Sequence, residues 1–363
     1  MIKLLTHRSR GIRFAFFAAL VFLCFVFSVA AQTSSTLEPS PEPRDIPALW
    51  KPWIGEYGGS PSSSLAITVY VVSEKDGYIE MSDRTSRPDG MHYENREKFL
   101  VQGSSPSAHG FRTSQSGQRE LILGDIVEGK ITPDFDARAQ ILIKPVSSVS
   151  ELRKEALLAS PPFEKGPFRK PELVELTTLD PAIHLDIRYA TTNDFLGTPV
   201  YTQARAFMQR PAAEALVRAL HKLEPLGYGL LIHDAYRPWY VTKIFWDATP
   251  PEGKIFVADP SEGSRHNRGC AVDLTLYDLK TGKPIEMPGT YDEMSPRSFP
   301  DYPGGTSLER WHRDLLRRAM ESEGFTVYEH EWWHFDYKDW RQYPILNIKF
   351  EDLHSGQGLG GAN

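Results

Sequence analysis

The apolar residues divide the chain into stretches of different texture. Residues 14–27 (FAFFAALVFLCFVF) form an unbroken apolar run, preceded by the basic stretch Met1–Arg13 and followed by the small residues Ser28-Val29-Ala30-Ala31. A basic start, a short apolar run and a small-residue exit make the pattern of a cleaved secretory signal over 1–31. An uncleaved membrane anchor is the alternative, since about 18 apolar residues begin to span a bilayer. Residues 32–48 are rich in Pro, Ser and Thr and read as a flexible lead-in. Over 49–148 the apolar residues come in short β-branched or aromatic runs: LAITVYVV (65–72), YIEM (78–81), KFLV (98–101), LILGDIVEG (121–129) and QILIKPV (140–146). Turn signals such as Lys75-Asp76-Gly77 and Pro88-Asp89-Gly90 separate them, which predicts a small all-β accessory domain. Residues 149–171 carry a short helix and a Pro-rich linker, SPPFEKGPFRKP.

From 172 to 350 the pattern mixes periods. A helix is expected over 211–224, with Pro211 at its start, Leu216, Leu220 and Leu223 on one face, and Gly227 beyond its end. The strand GLLIHD (229–234) follows. A second helix is expected over 308–323, capped by Thr306 with Glu309 three residues on, striped by Leu308, Trp311 and Leu315, and closed by Gly324. TVYEHEWWHFDY (326–337) reads as a strand. The expected fold is α+β, a small central antiparallel sheet flanked by helices, preceded by the all-β unit. The tail 351–363, ending GQGLGGAN, reads as disordered, and no internal repeat is visible.

Composition narrows the function class. The 363 residues suffice for about two domains. Formal charge is −6, and removing residues 1–31, which carry Lys3, Arg8, Arg10 and Arg13 and no acid, takes it to −10. So acidic a chain lacks the clustered cation that nucleic acid or an anionic membrane requires. Of the two cysteines, Cys24 leaves with the signal, and without small residues before it a lipid anchor is disfavoured. Cys270 then has no disulfide partner within the chain, and its ordinary role is that of a small buried hydrophobe.

The unusual residues concentrate in the second domain. S-R-H-N-R-G-C-A-V-D (264–273) and E-W-W-H (331–334) offer His266, Asp273 and His334 as candidate metal ligands. Hydrolytic zinc sites take three such ligands and leave a position for water, whose pKa the metal lowers towards 7. Glu331, three residues before His334, is the kind of non-ligating carboxylate that a general base requires. In a regular strand the two side chains face opposite ways, so the reading demands a bend or strand end at Trp332–Trp333. Taken by residue type alone, a solvated His-Asn-Arg-Gly loop and a plain aromatic edge strand remain the alternative. Gly269 and the small residues Cys270 and Ala271 favour a tight turn that aims Asp273 from a buried strand.

Those segments resemble a zinc peptidase family that contains the D-alanyl-D-alanine dipeptidases and the D,D-carboxypeptidases. The resemblance covers most of 171–340. It runs through D-I-R-Y-A-T-T-N-D-F (186–195), P-V-Y (199–201), D-A-Y-R-P (234–238), S-R-H-N-R-G-C-A-V-D-L-T (264–275), G-T-Y-D (289–292) and E-W-W-H-F (331–335). The Trp-Trp pair is similar to the dipeptidase branch, where the carboxypeptidase branch carries E-P-W-H. The resemblance implies one zinc ion per chain held by His266, Asp273 and His334, with Glu331 as base. It also implies Arg237 for the oxyanion or for substrate orientation, with a structural ion pair to Asp234 as the alternative. Ser264 and Asp292 match positions near the substrate, and Tyr189 shapes the pocket. Departures are an extra residue between Asn193 and Phe195, Leu196 for a common Thr, Cys270 for a small residue, and the β unit itself, which leaves cell-wall contact or another partner open. The expected activity is hydrolysis of a small D,D-dipeptide by an exported, periplasmic enzyme. The rivals are a D,D- or L,D-carboxypeptidase acting on peptidoglycan stems, and a cell-wall-binding protein with a structural zinc site. A structural site is normally closed by a fourth protein ligand, and His330 is the residue to check for that role. Oligomeric state is not legible.

Overall fold

Turn chemistry organises the first strands. The computed structural model describes residues 37, 39–58, 69–87, 90–99, 110–123, 126–131 and 142–353. The expected signal (1–31) and most of the expected tail (354–363) lie outside them. Strands β1 (Gly55–Gly58), β2 (Val69–Lys75), β3 (Tyr78–Arg87) and β4 (Gly90–Phe99) form one antiparallel sheet in that order. A second sheet holds β5 (Phe111–Thr113), β6 (Arg119–Leu123) and β7 (Ile126–Gly129). The β2–β3 turn falls on Asp76 and Gly77, at φ 53° and 80°, the paired positive angles that Asp-Gly supplies to a tight hairpin. Tyr57, Val72, Ile79, Met81, Phe111 and Leu121 form a core shared by both sheets, with Trp50 and Trp53 against it.

The expected strand at 140–146 is no strand over its described part, 142–146. Its backbone is used elsewhere: Ile143 N donates to Phe195 O (2.9 Å) and Val146 N to Ala248 O (3.0 Å). Next come α1 (Val149–Leu158), β8 (Leu173–Glu175), β9 (Ile183–Leu185), β10 (Phe207–Gln209), α2 (Arg210–Leu223), β11 (Tyr228–Asp234), α3 (Trp239–Ala248), β12 (Ala271–Asp278), α4 (Ser307–Glu321), β13 (Phe325–Tyr328) and β14 (Glu331–Tyr337). The central sheet runs β13-β14-β12-β11-β9. It is antiparallel except at one edge, where β9 joins β11 in parallel. Every residue of β11, and of β12 up to Tyr277, is buried, as a strand covered on both faces must be.

Helices α2 and α4 pack on each other and on this sheet. Leu216, Leu220 and Leu223 of α2 and Trp311, Leu315 and Leu316 of α4 are buried, each apolar side chain contributing roughly 1.5–3 kcal/mol. Helix α4 begins with a capping box: Thr306 Oγ1 accepts from Glu309 N (3.0 Å) and Glu309 Oε2 from Thr306 N (2.8 Å). The β region docks at this end. Glu74 N donates to Gly305 O (3.0 Å), Glu74 Oε2 accepts from Ser307 N (2.8 Å), and Tyr302 Oη donates to Glu56 Oε1 (3.2 Å). All the elements named belong to one unit beginning at Pro39.

Segments at three expected boundaries make tertiary contacts in the structure. The lead-in was expected to be flexible to 48, but Trp311 Nε1 donates to Ser40 O (2.9 Å) and Ile46 is buried. The Pro-rich linker is tied down by Glu164, which accepts from Arg268 Nη2 (2.5 Å) and Ile345 N (2.7 Å). The second domain extends past 350, because Phe350 is buried among Tyr201, Phe207 and Tyr236 and Arg205 Nη1 donates to Leu353 O (3.1 Å). Among the described residues no helix is long and apolar enough to cross a membrane.

Candidate active site

Strand pairing brings distant residues together. On β12 and β14, Asp273 stands opposite His334. His266 precedes β12 in a single 3-10 turn, His266–Arg268, which ends at Gly269 with φ 67°. The left-handed φ favours glycine there, and a Cβ at 269 would also press on Leu173 Cδ2 at 2.6 Å. Ser264 shapes the same turn, its Oγ accepting from His266 N (3.2 Å) while its own N donates to Asn267 Oδ1 (2.7 Å). Asn267 Nδ2 donates to Arg237 O (2.9 Å) and Arg237 N to His266 O (3.1 Å). The D-A-Y-R-P loop is thereby zipped to the histidine turn.

The expected bend in E-W-W-H is present. Val327 pairs with Phe335, but the next pair is Tyr328 with Glu331, so residues 332–334 bulge from the ladder. Glu331 and His334 then share a side: Glu331 Oε2 lies 3.6 Å from His334 Nδ1.

The three candidate ligands are buried, and their donor atoms all lie within 4.8 Å of one another. His266 Nδ1 meets Ala235 O at 2.6 Å, so that nitrogen carries the proton and Nε2 presents a lone pair. His334 Nε2 meets Asp336 Oδ1 at 3.0 Å, which turns Nδ1 towards the cluster. His266 Nε2 and His334 Nδ1 are 3.1 Å apart, and Asp273 Oδ1 lies 3.4 and 3.0 Å from them. That oxygen is buried without a hydrogen-bond partner among the described residues. These donor atoms stand close enough to hold a metal ion between them. Two imidazole nitrogens and one carboxylate oxygen, each imidazole oriented from behind, are what zinc takes. Burial opposes charge on His334, yet the carboxylates of Asp273 and Asp336 favour it and raise His334 to about 10, so a proton on Nδ1 and a metal ion compete for one place. Burial, with a smaller push from Asp273, raises Glu331 to about 7, with His334 pulling the other way.

Arg237 is both a cleft residue and an ion-pair partner. Its Nη2 lies 2.8 Å from Asp234 Oδ2 and 3.8 Å from Asp273 Oδ2, and its guanidinium sits over the Tyr189 and Phe245 rings. The pair to Asp234 foreseen as the structural alternative is therefore formed, without removing Arg237 from the cleft. Tyr189 Oη donates to Asp292 Oδ2 (2.8 Å). Asp292 is half-buried at φ 57°, and desolvation together with Asp273 holds its carboxyl well above the usual range. All eight predicted site residues, Tyr189, Arg237, Ser264, His266, Asp273, Asp292, Glu331 and His334, line one cleft of about 140 Å³. A larger cavity, about 230 Å³, lies between the β region and α4 and holds none of them.

Other residues at the site went unread. Asp336 was legible, since it shares a strand face with His334 two residues away. Tyr291 Oη, 3.2 Å from Asp273 Oδ2 and 2.9 Å from Tyr189 Oη, carried no such signal. Tyr201 Oη donates to Asp234 Oδ1 (2.6 Å) and so holds the partner of Arg237. His330 is not in the cluster: it is half-exposed, with its ring against Phe299 and Tyr328. Cys270 is fully buried, and burial pushes its thiol far up.

A family model described as D-ala-D-ala dipeptidase matches residues 169–353. The chain is 35% identical over 179 residues to the D-alanyl-D-alanine dipeptidase of Escherichia coli (strain K12), spanning 49% of this chain and 91% of that relative. It is 36% identical over 196 residues to the protein of the same name from Enterococcus faecalis, spanning 47% of this chain and 95% of the relative. For the namesake in Streptomyces coelicolor the identity is 37% over 175 residues, 43% of this chain and 87% of the relative.

Proposed function

The chain belongs to the D-ala-D-ala dipeptidase family, and on that premise we propose that it hydrolyses the D-alanyl-D-alanine dipeptide outside the cytoplasm. The carrying observation is the convergence of His266 Nε2, Asp273 Oδ1 and His334 Nδ1, with Glu331 Oε2 3.6 Å from the last. The names of the relatives support the substrate, and the order of charge, apolar run and small residues over 1–31 supports export.

His266, Asp273 and His334 would hold one zinc ion. Zinc, when bound, supplies Lewis-acid polarisation and lowers the pKa of a water. Glu331 takes the proton of the attacking water on its carboxylate and returns it to the leaving amine nitrogen. Arg237, held against Asp234 and two aromatic rings, is a fixed cation for negative charge developing on the carbonyl oxygen. Asp292 has Tyr189 Oη as a partner and faces the cleft. The ammonium of a free dipeptide would restore its charge, whereas a longer stem offers a neutral amide at that position. Ser264 sets the His266 turn at the same wall. Among the described residues no fourth side chain joins the three-member group, which favours an open, catalytic site over a structural one.

The deciding measurement pairs zinc content with hydrolysis of D-Ala-D-Ala and of a stem pentapeptide. About one zinc per chain with cleavage of the dipeptide alone is expected. Cleavage of the pentapeptide would move the chain to carboxypeptidase action. Zinc without turnover would make it a binding protein.

A further inference from the structure

Each candidate ligand is gripped on the side away from the cluster. Ala235 O holds His266 Nδ1 at 2.6 Å, Tyr291 Oη stands 3.2 Å from Asp273 Oδ2, and Asp336 Oδ1 holds His334 Nε2 at 3.0 Å. The last of these grips is a carboxylate in direct hydrogen-bond contact, whereas Asp234 Oδ2 stands farther from His266 Nδ1, at 3.7 Å. Asp336 is half-buried on β14, between Ala271 of β12 and Thr326 of β13, so two ladders fix its backbone. Its other oxygen, Oδ2, lies 3.3 Å from Arg265 Nε. The Arg265 guanidinium in turn sits over the rings of Tyr328 and Trp340, at 5.6 and 5.2 Å. The order Arg265–Asp336–His334 thus runs from the cleft rim to the cluster.

We propose that Asp336 is a positioning residue that fixes the tautomer and ring orientation of His334, and that Arg265 holds Asp336 in that role. His334 stands at the edge of the 332–334 bulge, where the ladder gives its backbone less support than that of Asp273. An imidazole there can turn or carry its proton on the other nitrogen, and either change withdraws the lone pair of Nδ1. A carboxylate at Nε2 forbids both and raises the basicity of Nδ1. The inference rests on the metal reading above.

The test measures zinc affinity of the purified protein by competition with a chromophoric chelator, and the absorption of the cobalt-substituted form. Asp336→Ala should bind zinc roughly 10- to 100-fold more weakly and change the cobalt bands. Asp336→Asn, whose amide oxygen still accepts from Nε2, should recover part of the loss, and Arg265→Gln should show a smaller loss in the same direction. Thermal unfolding of the metal-free variants separates this from a folding defect, and the Asn variant carries the test if the Ala variant does not fold. Zinc affinity within about twofold of wild type in both Asp336 variants would overturn the proposal. A wild-type chain that binds no zinc would instead overturn the metal reading on which it rests.

Discussion

Replacing Glu331 by glutamine isolates one atom's chemistry. The side chain is largely buried, and its Oε2 stands 3.6 Å from His334 Nδ1, outside hydrogen-bond contact with that ligand. Glutamine keeps the size and one acceptor oxygen, so the cleft and the three metal-holding residues are undisturbed. What disappears is a base able to take a proton near neutrality, where burial has pushed the Glu331 carboxyl to about 7. A positioned base is worth roughly 10²–10⁴ in rate, or about 3–5 kcal/mol of barrier. The assay is D-alanine release over a range of dipeptide concentrations, with zinc measured on the same samples. Glu331→Gln should lower kcat by at least about 100-fold, leave KM within a few-fold, and keep its zinc. More than a tenth of wild-type kcat would refute the base assignment, and loss of zinc would make Glu331 a ligand. His266→Ala provides the contrast, since it should lose zinc and turnover together.

Glu74 is buried, and its two carboxylate oxygens accept from Gly77 N and Ser307 N, both at 2.8 Å. Glu74→Ala strands the Ser307 donor between the β region and α4, the Gly77 donor lying in the exposed β2–β3 turn, and should cost about 1–3 kcal/mol in urea unfolding; a loss below about 0.5 kcal/mol would mean the docking does not depend on it. His312 on α4 is buried, and desolvation lowers it from 6.5 to about 4. The unfolded chain therefore takes up a proton that the folded chain refuses, so this stability is full above 6.5 and lost as pH falls through 4. His312→Gln should flatten the acid limb over that window by about 2–3 kcal/mol, read from unfolding at pH 4.5 and 7. Cys270→Ala should retain turnover, and the native thiol should resist alkylation, because it is fully buried with its thiol held protonated; inactivation by a thiol reagent without unfolding would contradict this.

Local signals in the sequence proved good guides to local structure. The Thr306–Glu309 box and the leucine stripe of α2 encode their helices in residues three or four apart, and both are present as expected. Long-range partners leave no such trace. Nothing within GLLIHD says that β9 will join it in parallel, and nothing within 39–48 says that Trp311, some 270 residues on, will take Ser40 O as its acceptor. A Pro-rich composition reports the absence of a private hydrophobic core, and such a segment can still be seated on someone else's. The expected strand at 140–146 went astray for the same reason: its β-branched residues suit any half-buried extended segment, and α3 and Phe195 supplied the partners.

For the site, chemistry was legible sooner than geometry. His266, Asp273, Glu331 and His334 stand out because a buried carboxylate and clustered imidazoles are costly without a partner. Their meeting depended on β12 lying beside β14, a fact of topology carried by neither strand alone. The spacing of Glu331 and His334 shows how the two levels join. Positions three apart share a face on a helix without assistance, but on a strand they point apart. The bulge at 332–334 reverses that, so that strand residues acquire the juxtaposition that a helix would supply. The same irregularity leaves His334 paired with β12 but without a partner on the β13 side. This is why a side chain from the regular part of β14, Asp336, has to hold the imidazole from behind: the backbone departure that brings base and ligand together creates the need for the residue that keeps the ligand in place.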